Sequence, residues 1–276
     1  MILYKYMSVD GIIKTVQGAS LLARPINGYN DPFESLPAFT DETIEKYFST
    51  LCKNSHFLRR LQQERHILGG SYKIPQLRML MEEDRAYRRK VLSGLLTQSK
   101  ATPIEFAIDL QELASQHFGI VSFTKNPSNI LMWSHYADHH RGCVVALETS
   151  LVWNDELIYP VNYRSSRVLF TGEGPEKENE ALALTKSPDW CYEEEYRMIE
   201  LVAESEWQDD RGQRTAKVEL KQGQIRWICV GIRATDAELV QLRETLTQTS
   251  FSDVPVLRAQ LHPTDFKIIL PDECAI

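Results

Sequence analysis

The chain has 276 residues, 43% hydrophobic and 25% charged, the mixture of an ordinary globular protein. A chain of this length buries roughly 75% of its unfolded surface, enough to fold without disulfides or a structural metal. The net charge of −7, from 38 acidic and 31 basic residues, excludes a generally basic nucleic-acid coat but not a local basic groove.

Residues Ile2 to Met7 are aromatic and β-favouring and predict a first strand. Asp10 is the predicted cap of a short helix through Val16, with Gly18 as its stop. A second strand, Ser20 to Arg24, runs into the loop NGYNDPFE at Asn27 to Glu34. From Thr40 to Gly119 the apolar period becomes helical, through Ile44, Phe48, Leu51, Leu58 and Leu61 and then Leu77, Met81, Val91 and Leu95. Thr102, Pro103 and Glu105 predict the start of a third helix in this block.

Strands are predicted again at Gly119 to Thr124 and Cys143 to Glu148, around a helical NILMWSHYADHH. More follow at Leu157 to Tyr163, Trp190 to Val202, Ala216 to Leu220, Arg226 to Ile232, Val254 to Leu261 and Phe266 to Leu270. Asp209 to Gly212 reads as a turn, and Thr235 with Glu238 forms a capping box for a helix to Thr249. The pattern predicts a single α+β domain over residues 1–276, with a mixed or antiparallel β core and a helical insertion at 40–118. No apolar run nears the roughly 20 residues of a membrane span, and the N-terminus lacks a secretory apolar core. Cys52, Cys143, Cys191, Cys229 and Cys274 form no CxxC pair. They read as reduced thiols of a cytoplasmic protein.

Three clusters carry more polar and aromatic chemistry than packing requires. In NDPFE, a rigid turn is expected either to anchor Phe33 in the core or to deliver Asn30, Asp31 or Glu34 to a cleft. In MWSHYADHHRG, one helical face would carry Trp133, Tyr136 and His140, with His135 and His139 one turn apart. That histidine pair suits zinc, but a third ligand and the HExxH glutamate are missing, so no metal site is assigned. An aromatic and imidazole surface suits a flat, hydrogen-bonding ligand. In WCYEEEYRMIEL, a strand would place Glu193, Glu195, Arg197 and Ile199 on one face. The two carboxylates repel unless a cation or a hydroxyl-rich ligand lies between them, and Arg197 is the nearest cation in sequence.

Taken in order, LYKY at Leu3 to Tyr6, NDPFE, SFT at Ser122 to Thr124, MWSHYADHHRG, WCYEEEYR and VGIR near Val230 resemble a bacterial family known as domain of unknown function 2971. The same order is similar to the plan of the ADP-ribosyltransferases. That plan has an aromatic or basic residue on the first strand, a Ser-x-Ser/Thr strand, a helical Tyr and a late Glu-x-Glu. The resemblance implies a split β sheet, NAD as substrate, and transfer to a protein or nucleic-acid acceptor, or to water. It assigns Glu195 as the catalytic carboxylate and Glu193 as the residue that orients the acceptor. It assigns NAD contacts to Tyr4, Lys5, Tyr6, Asn30, Asp31, Ser122, Thr124, Trp133, His135, Tyr136 and Arg197. Such an enzyme would act in the cytoplasm as a toxin or phage-defence effector. The first strand departs from the plan in carrying Tyr-Lys-Tyr, and three consecutive glutamates leave Glu194 as the alternative working residue.

Two other readings stay open. One is a metal-dependent hydrolase or nuclease using His135, His139 or His140 with Glu193 and Glu195. The other is a non-catalytic module that binds a nucleotide-like ligand. Arg59, Arg60, Arg65, Arg78, Arg85, Arg88 and Arg89 in the helical block form a solvated face or a surface for phosphates or an acidic partner.

Overall fold

The computed structural model describes every residue except 65–67, 85, 89, 92–93, 95–102, 152–156, 203–207, 209–211, 213 and 272–276. The N-terminal part holds β1 (Ile2–Met7), α1 (Val9–Gly18), β2 (Ser20–Pro25), α2 (Asp41–Leu51), α3 (Ser55–Leu61), α4 (Ile74–Glu83) and α5 (Pro103–Ser115). Next come β3 (Phe118–Thr124), α6 (Ile130–Tyr136), β4 (Cys143–Glu148), β5 (Ile158–Pro160), β6 (Asn162–Tyr163), α7 (Pro175–Ala183) and β7 (Thr185–Lys186). A 3-10 turn at Pro188–Glu193 leads to β8 (Glu195–Leu201), β9 (Ala216–Glu219), β10 (Ile225–Val230), α8 (Asp236–Thr247), β11 (Val256–Arg258), β12 (Gln260–Leu261) and β13 (Ile268–Ile269).

The chain divides into two compact units. The first comprises Met1–Gly28, Ser115–Tyr163 and Lys186–Ile276; the second comprises Tyr29–Ala114 and Arg164–Thr185. Among the described residues the first unit holds a mixed, mostly antiparallel sheet in the order β11-β10-β4-β1-β3-β2-β9, with β8 on β3 and β5 on β8. Only the β10–β11 pair is parallel within that sheet. Strand β3 is its branch point. One edge pairs with β8 from Phe118 to Thr124. The other edge meets β1 at Thr124 and β2 at Gly119 and Ile120.

Side-chain alternation gives the sheet two different faces. Leu3, Val121, Phe123, Val145, Met198 and Ile228 pack beneath α1 and α8 through Ile12, Val16, Leu242 and Leu246. On the opposite face Tyr6, Val144, Ala146 and Trp227 pack against Met132 and Trp133 of α6, with Tyr4 and Tyr136 at the margin. The branch point brings Tyr4, Thr124 and Glu195 into one cross-strand row on this α6 face.

The second unit contains the helices expected of the 40–118 block, and it also takes in α7, which has no counterpart among the predicted elements. Leu58, Leu61, Leu77 and Met81 form one of its cores. Phe39, Tyr47, Phe106 and Phe170 form a second, of edge-to-face and tilted rings. The predicted cap at Thr102 and the turn residues Asp209 to Arg211 lie outside the described residues.

Local chemistry accounts for several boundaries. Thr235 and Glu238 form the expected reciprocal capping box of α8. The predicted cap at Asp10 is corrected: Ser8 Oγ accepts the Gly11 amide, and Ala19, not Gly18, carries the left-handed residue that ends α1. Among the described residues no helix is long and apolar enough to cross a membrane.

Gly231 follows β10, and its amide donates to Gly142 O at 2.7 Å. A Cβ at this position would lie 2.1 Å from His140 O, whereas one at Gly174 meets nothing within 4 Å. Gly231→Ala is expected to cost about 2 kcal/mol and to lower the Tm by about 5 °C. Gly174→Ala is expected to leave the Tm unchanged, and thermal denaturation of the two variants checks the contrast.

Candidate functional site

The sequence predicts an unbroken strand from Trp190 to Val202, and the structure corrects this. Pro188 has no amide proton and a fixed φ, which suits the first position of a helical turn. Ser187 Oγ caps that turn by accepting the Asp189 amide. The turn ends at Glu194, which adopts φ 45°, and the strand starts at Glu195. Simple alternation therefore does not place Glu193. The left-handed residue re-aims the chain instead, so that Glu193 and Glu195 are both buried while Glu194 is exposed and accepts a bond from Asn126 Nδ2. Glu194 therefore stands apart from the buried pair.

Lys186 joins the two buried carboxylates. Its Nζ donates to Glu193 Oε2 at 2.5 Å and to Glu195 Oε2 at 3.1 Å. Arg197, wholly buried, grips Glu195 with two bonds, Nε to Oε1 at 2.8 Å and Nη2 to Oε2 at 2.9 Å. The Ser122 hydroxyl bonds the Glu195 carboxylate as well. Tyr163 Oη accepts the Glu195 amide at 2.9 Å. Glu193 Oε1 accepts from Tyr136 Oη at 2.5 Å, and Glu193 O accepts from Thr124 Oγ1 at 2.5 Å. Two cations and two anions share this interior, an arrangement that is stable only when each charge is paired.

The cluster moves the two carboxyl groups in opposite directions. Burial pushes Glu193 above the ordinary carboxylate range, against the Lys186 charge and the hydrogen bonds from Lys186 and Tyr136. Burial acts on Glu195 in the same sense, but the charges of Arg197 and Lys186, with hydrogen bonds from Arg197 and Ser122, outweigh it and hold the group at about 2. Glu195 is thus held as an anion, while burial raises the proton affinity of Glu193, so the two environments push the carboxyls apart as they do for acid–base partners in carboxylate sites.

Around Glu193 stands an aromatic rim. Half-buried Tyr136 and Tyr192 lie beside exposed His135, whose Nδ1 is 3.0 Å from Tyr192 Oη. Trp190 stacks at a tilt near Tyr192 and lies 4.9 Å from Lys186 Nζ. Burial and the Glu193 charge raise the Tyr192 phenol above its ordinary value.

Other assignments change. Trp133 is fully buried, donating its indole N–H to Pro127 O and packing edge-on to Tyr6. Tyr6 is buried too and donates to Asn126 O. Both are core residues and offer no face to a ligand. Lys5 sits on the α1 and α8 side of the sheet, over Phe123, where Nζ donates to Ser122 O. Burial and the Arg24 charge lower its amine to about 8. Asn30 and Asp31 belong to the second unit, where Asp31 Oδ1 accepts the Phe33 amide in a local turn. Phe33 of that turn is exposed and does not anchor it. Helix α6 ends at Tyr136, and Asp138, His139 and His140 all have positive φ, so the expected histidine pair on one helix face is lost. Among the described residues no three His, Cys, Asp or Glu side chains are grouped to hold a metal ion.

Sequence reasoning missed Lys186 and Tyr163. The only signal for Lys186 is the need of two buried glutamates for a cation, and that need does not say which lysine answers it. Comparison with protein-family models, curated proteins and solved structures finds no match. The geometry of the cluster therefore carries the functional argument.

The two carboxyls give opposite pH responses. Glu195, depressed from 4.5 to about 2, contributes on the order of 3 kcal/mol at neutral pH, lost as pH falls from 4.5 through 2. Glu193 is raised, so its contribution is present below the ordinary carboxylate value and lost as pH rises through its folded value. Glu195→Gln should therefore destabilise at pH about 7 and be nearly silent at strongly acid pH. Glu193→Gln, which mimics the protonated form, should be nearly silent in acid and stabilising at neutral pH. Denaturant unfolding across pH checks the signs, and a common sign for both variants contradicts the assignment.

Proposed function

We propose that the α6 face of the sheet is the centre of an NAD-consuming enzyme, an ADP-ribosyltransferase or NAD glycohydrolase acting in the cytoplasm as a toxin or phage-defence effector. We also propose that the chain is a member of the domain of unknown function 2971 family, on the ordered motifs it shares. The observation that carries the enzymatic reading is the carboxyl pair on Lys186, one member held ionised and the other raised in proton affinity by burial, with a tyrosine hydroxyl donating to the raised one.

Cleavage of the bond between nicotinamide and ribose passes through an oxocarbenium-like state. A fixed negative potential stabilises the positive charge that develops there, and a base on the acceptor side completes the transfer. In this reading Glu195, enclosed by Arg197, Lys186 and Ser122, supplies the fixed anion. Glu193 supplies the acid–base group on the acceptor side, the side that the resemblance assigns to it. Tyr136, Tyr192, Trp190 and His135 supply flat surfaces and hydrogen-bonding edges for the nucleotide. The row of Tyr4, Thr124 and Glu195 across three strands supports the same face as the binding side.

A second reading has its own observation. Glu193 and Glu195 are only 3% and 5% exposed, as expected of a structural ion cluster beneath a non-catalytic nucleotide-binding surface. That reading predicts a rise in Tm with NAD or ADP-ribose and no turnover.

Purified protein incubated with NAD should release nicotinamide, and Glu193→Gln should cut the rate by about 100-fold or more while remaining folded. Absence of release by the wild-type protein, with or without a cell lysate as acceptor source, overturns the enzymatic reading.

A further inference from the structure

Resting on the enzymatic reading above, one difficulty of the site points to a further catalytic residue. Glu193 is 3% exposed, and its two carboxylate oxygens are occupied, Oε1 by Tyr136 and Oε2 by Lys186. Glu195 is equally enclosed, with both oxygens bonded to Arg197 and one also to Lys186. A base sealed in this way does not reach a substrate hydroxyl directly, because proton transfer requires heavy atoms within about 3 Å or one bridging group. Tyr136 is such a bridge. It is half-buried at the end of α6, and its hydroxyl sits 2.5 Å from Glu193 Oε1. A phenol that donates its proton to a carboxylate keeps acceptor capacity on the same oxygen.

We propose that Tyr136 is the group that takes the proton from the attacking hydroxyl of the acceptor, whether water or a macromolecule, and hands its own proton to Glu193. The acceptor oxygen forms a bond to ribose C1′ as the bond from C1′ to the nicotinamide nitrogen breaks. The bonding pair passes to the ring nitrogen, and nicotinamide leaves neutral. The acceptor proton moves to Tyr136 Oη while the tyrosine proton moves to Glu193 Oε1. Glu193 afterwards releases one proton to solvent, which is the net proton of the reaction. Lys186 holds Glu193 by its other oxygen and keeps Oε1 turned to Tyr136. Its role is positioning.

The test compares nicotinamide release by the wild type, Tyr136→Phe, and protein carrying 3-fluorotyrosine at position 136. Tyr136→Phe should lower kcat by about 100-fold with KM changed by less than about threefold, the signature of a lost proton-transfer step. The fluorinated side chain, a stronger acid of nearly the same shape, should restore turnover and move the alkaline limb of the pH–rate profile to lower pH. A merely structural tyrosine would not shift that limb. Tyr136→Phe turning over within about threefold of wild type, or failing through KM alone, overturns the relay and leaves the reading of the glutamates standing. No release by the wild type overturns both. The fluorinated protein keeps the test decisive if the phenylalanine variant does not fold.

Discussion

Two carboxylates buried side by side are tolerated only with a cation between them, and Lys186 is that cation. Removing water from an ionised group costs several kcal/mol, and only close, well-directed partners offset it. Lys186 meets both glutamates, and Arg197 meets Glu195 a second time across its full fork. The rest of the α6 face is arranged to bring these groups together. The 3-10 turn and the left-handed Glu194 deliver Glu193. Pairing of β8 along the length of β3 sets Glu195 opposite Thr124 and Arg197 opposite Ser122. Trp133 and Tyr6 form the apolar floor that holds α6, and with it Tyr136, against the sheet.

The unequal partnership within the cluster is what turns a salt-bridge network into a candidate for chemistry. Glu195 has more cationic contact than its burial demands and stays ionised. Glu193 shares one lysine with its neighbour, and burial prevails. A carboxyl of raised proton affinity beside a permanent anion, bonded to the hydroxyl of a half-buried tyrosine, is the kind of pair on which the proposed oxocarbenium-forming reaction would draw. The same enclosure that shifts the two carboxyls in opposite directions hides them from solvent, and the hydroxyl on Glu193 belongs to the half-buried Tyr136.

Much of this was legible in the amino-acid sequence, for physical reasons. Strand β4 and the capping box of α8 follow from local rules, an apolar β-branched run and a Thr-x-x-Glu signature. Glu193, Glu195, Arg197 and Tyr136 stand out because an apolar environment does not call for them. Local rules stop where long-range geometry decides. Alternation predicted one strand through Trp190 to Val202, and a Pro-initiated turn with a positive φ at Glu194 intervened. Helical spacing joined His135 to His139, and three consecutive left-handed residues after α6 parted them. Trp133 looked like a ligand platform because aromatic residues serve in cores and in binding sites alike. Lys186 had no mark at all, since a lysine's partner is set by the fold.

The opposite shifts of Glu193 and Glu195 can be read by a carboxyl titration by carbon NMR of protein labelled at glutamate, with Glu193→Gln and Glu195→Gln assigning the two resonances. One carboxyl is expected to titrate near 2 and the other above the ordinary glutamate value of 4.5. Two carboxyls that titrate together, or that both move downward as a plain pair of salt bridges would, contradict it.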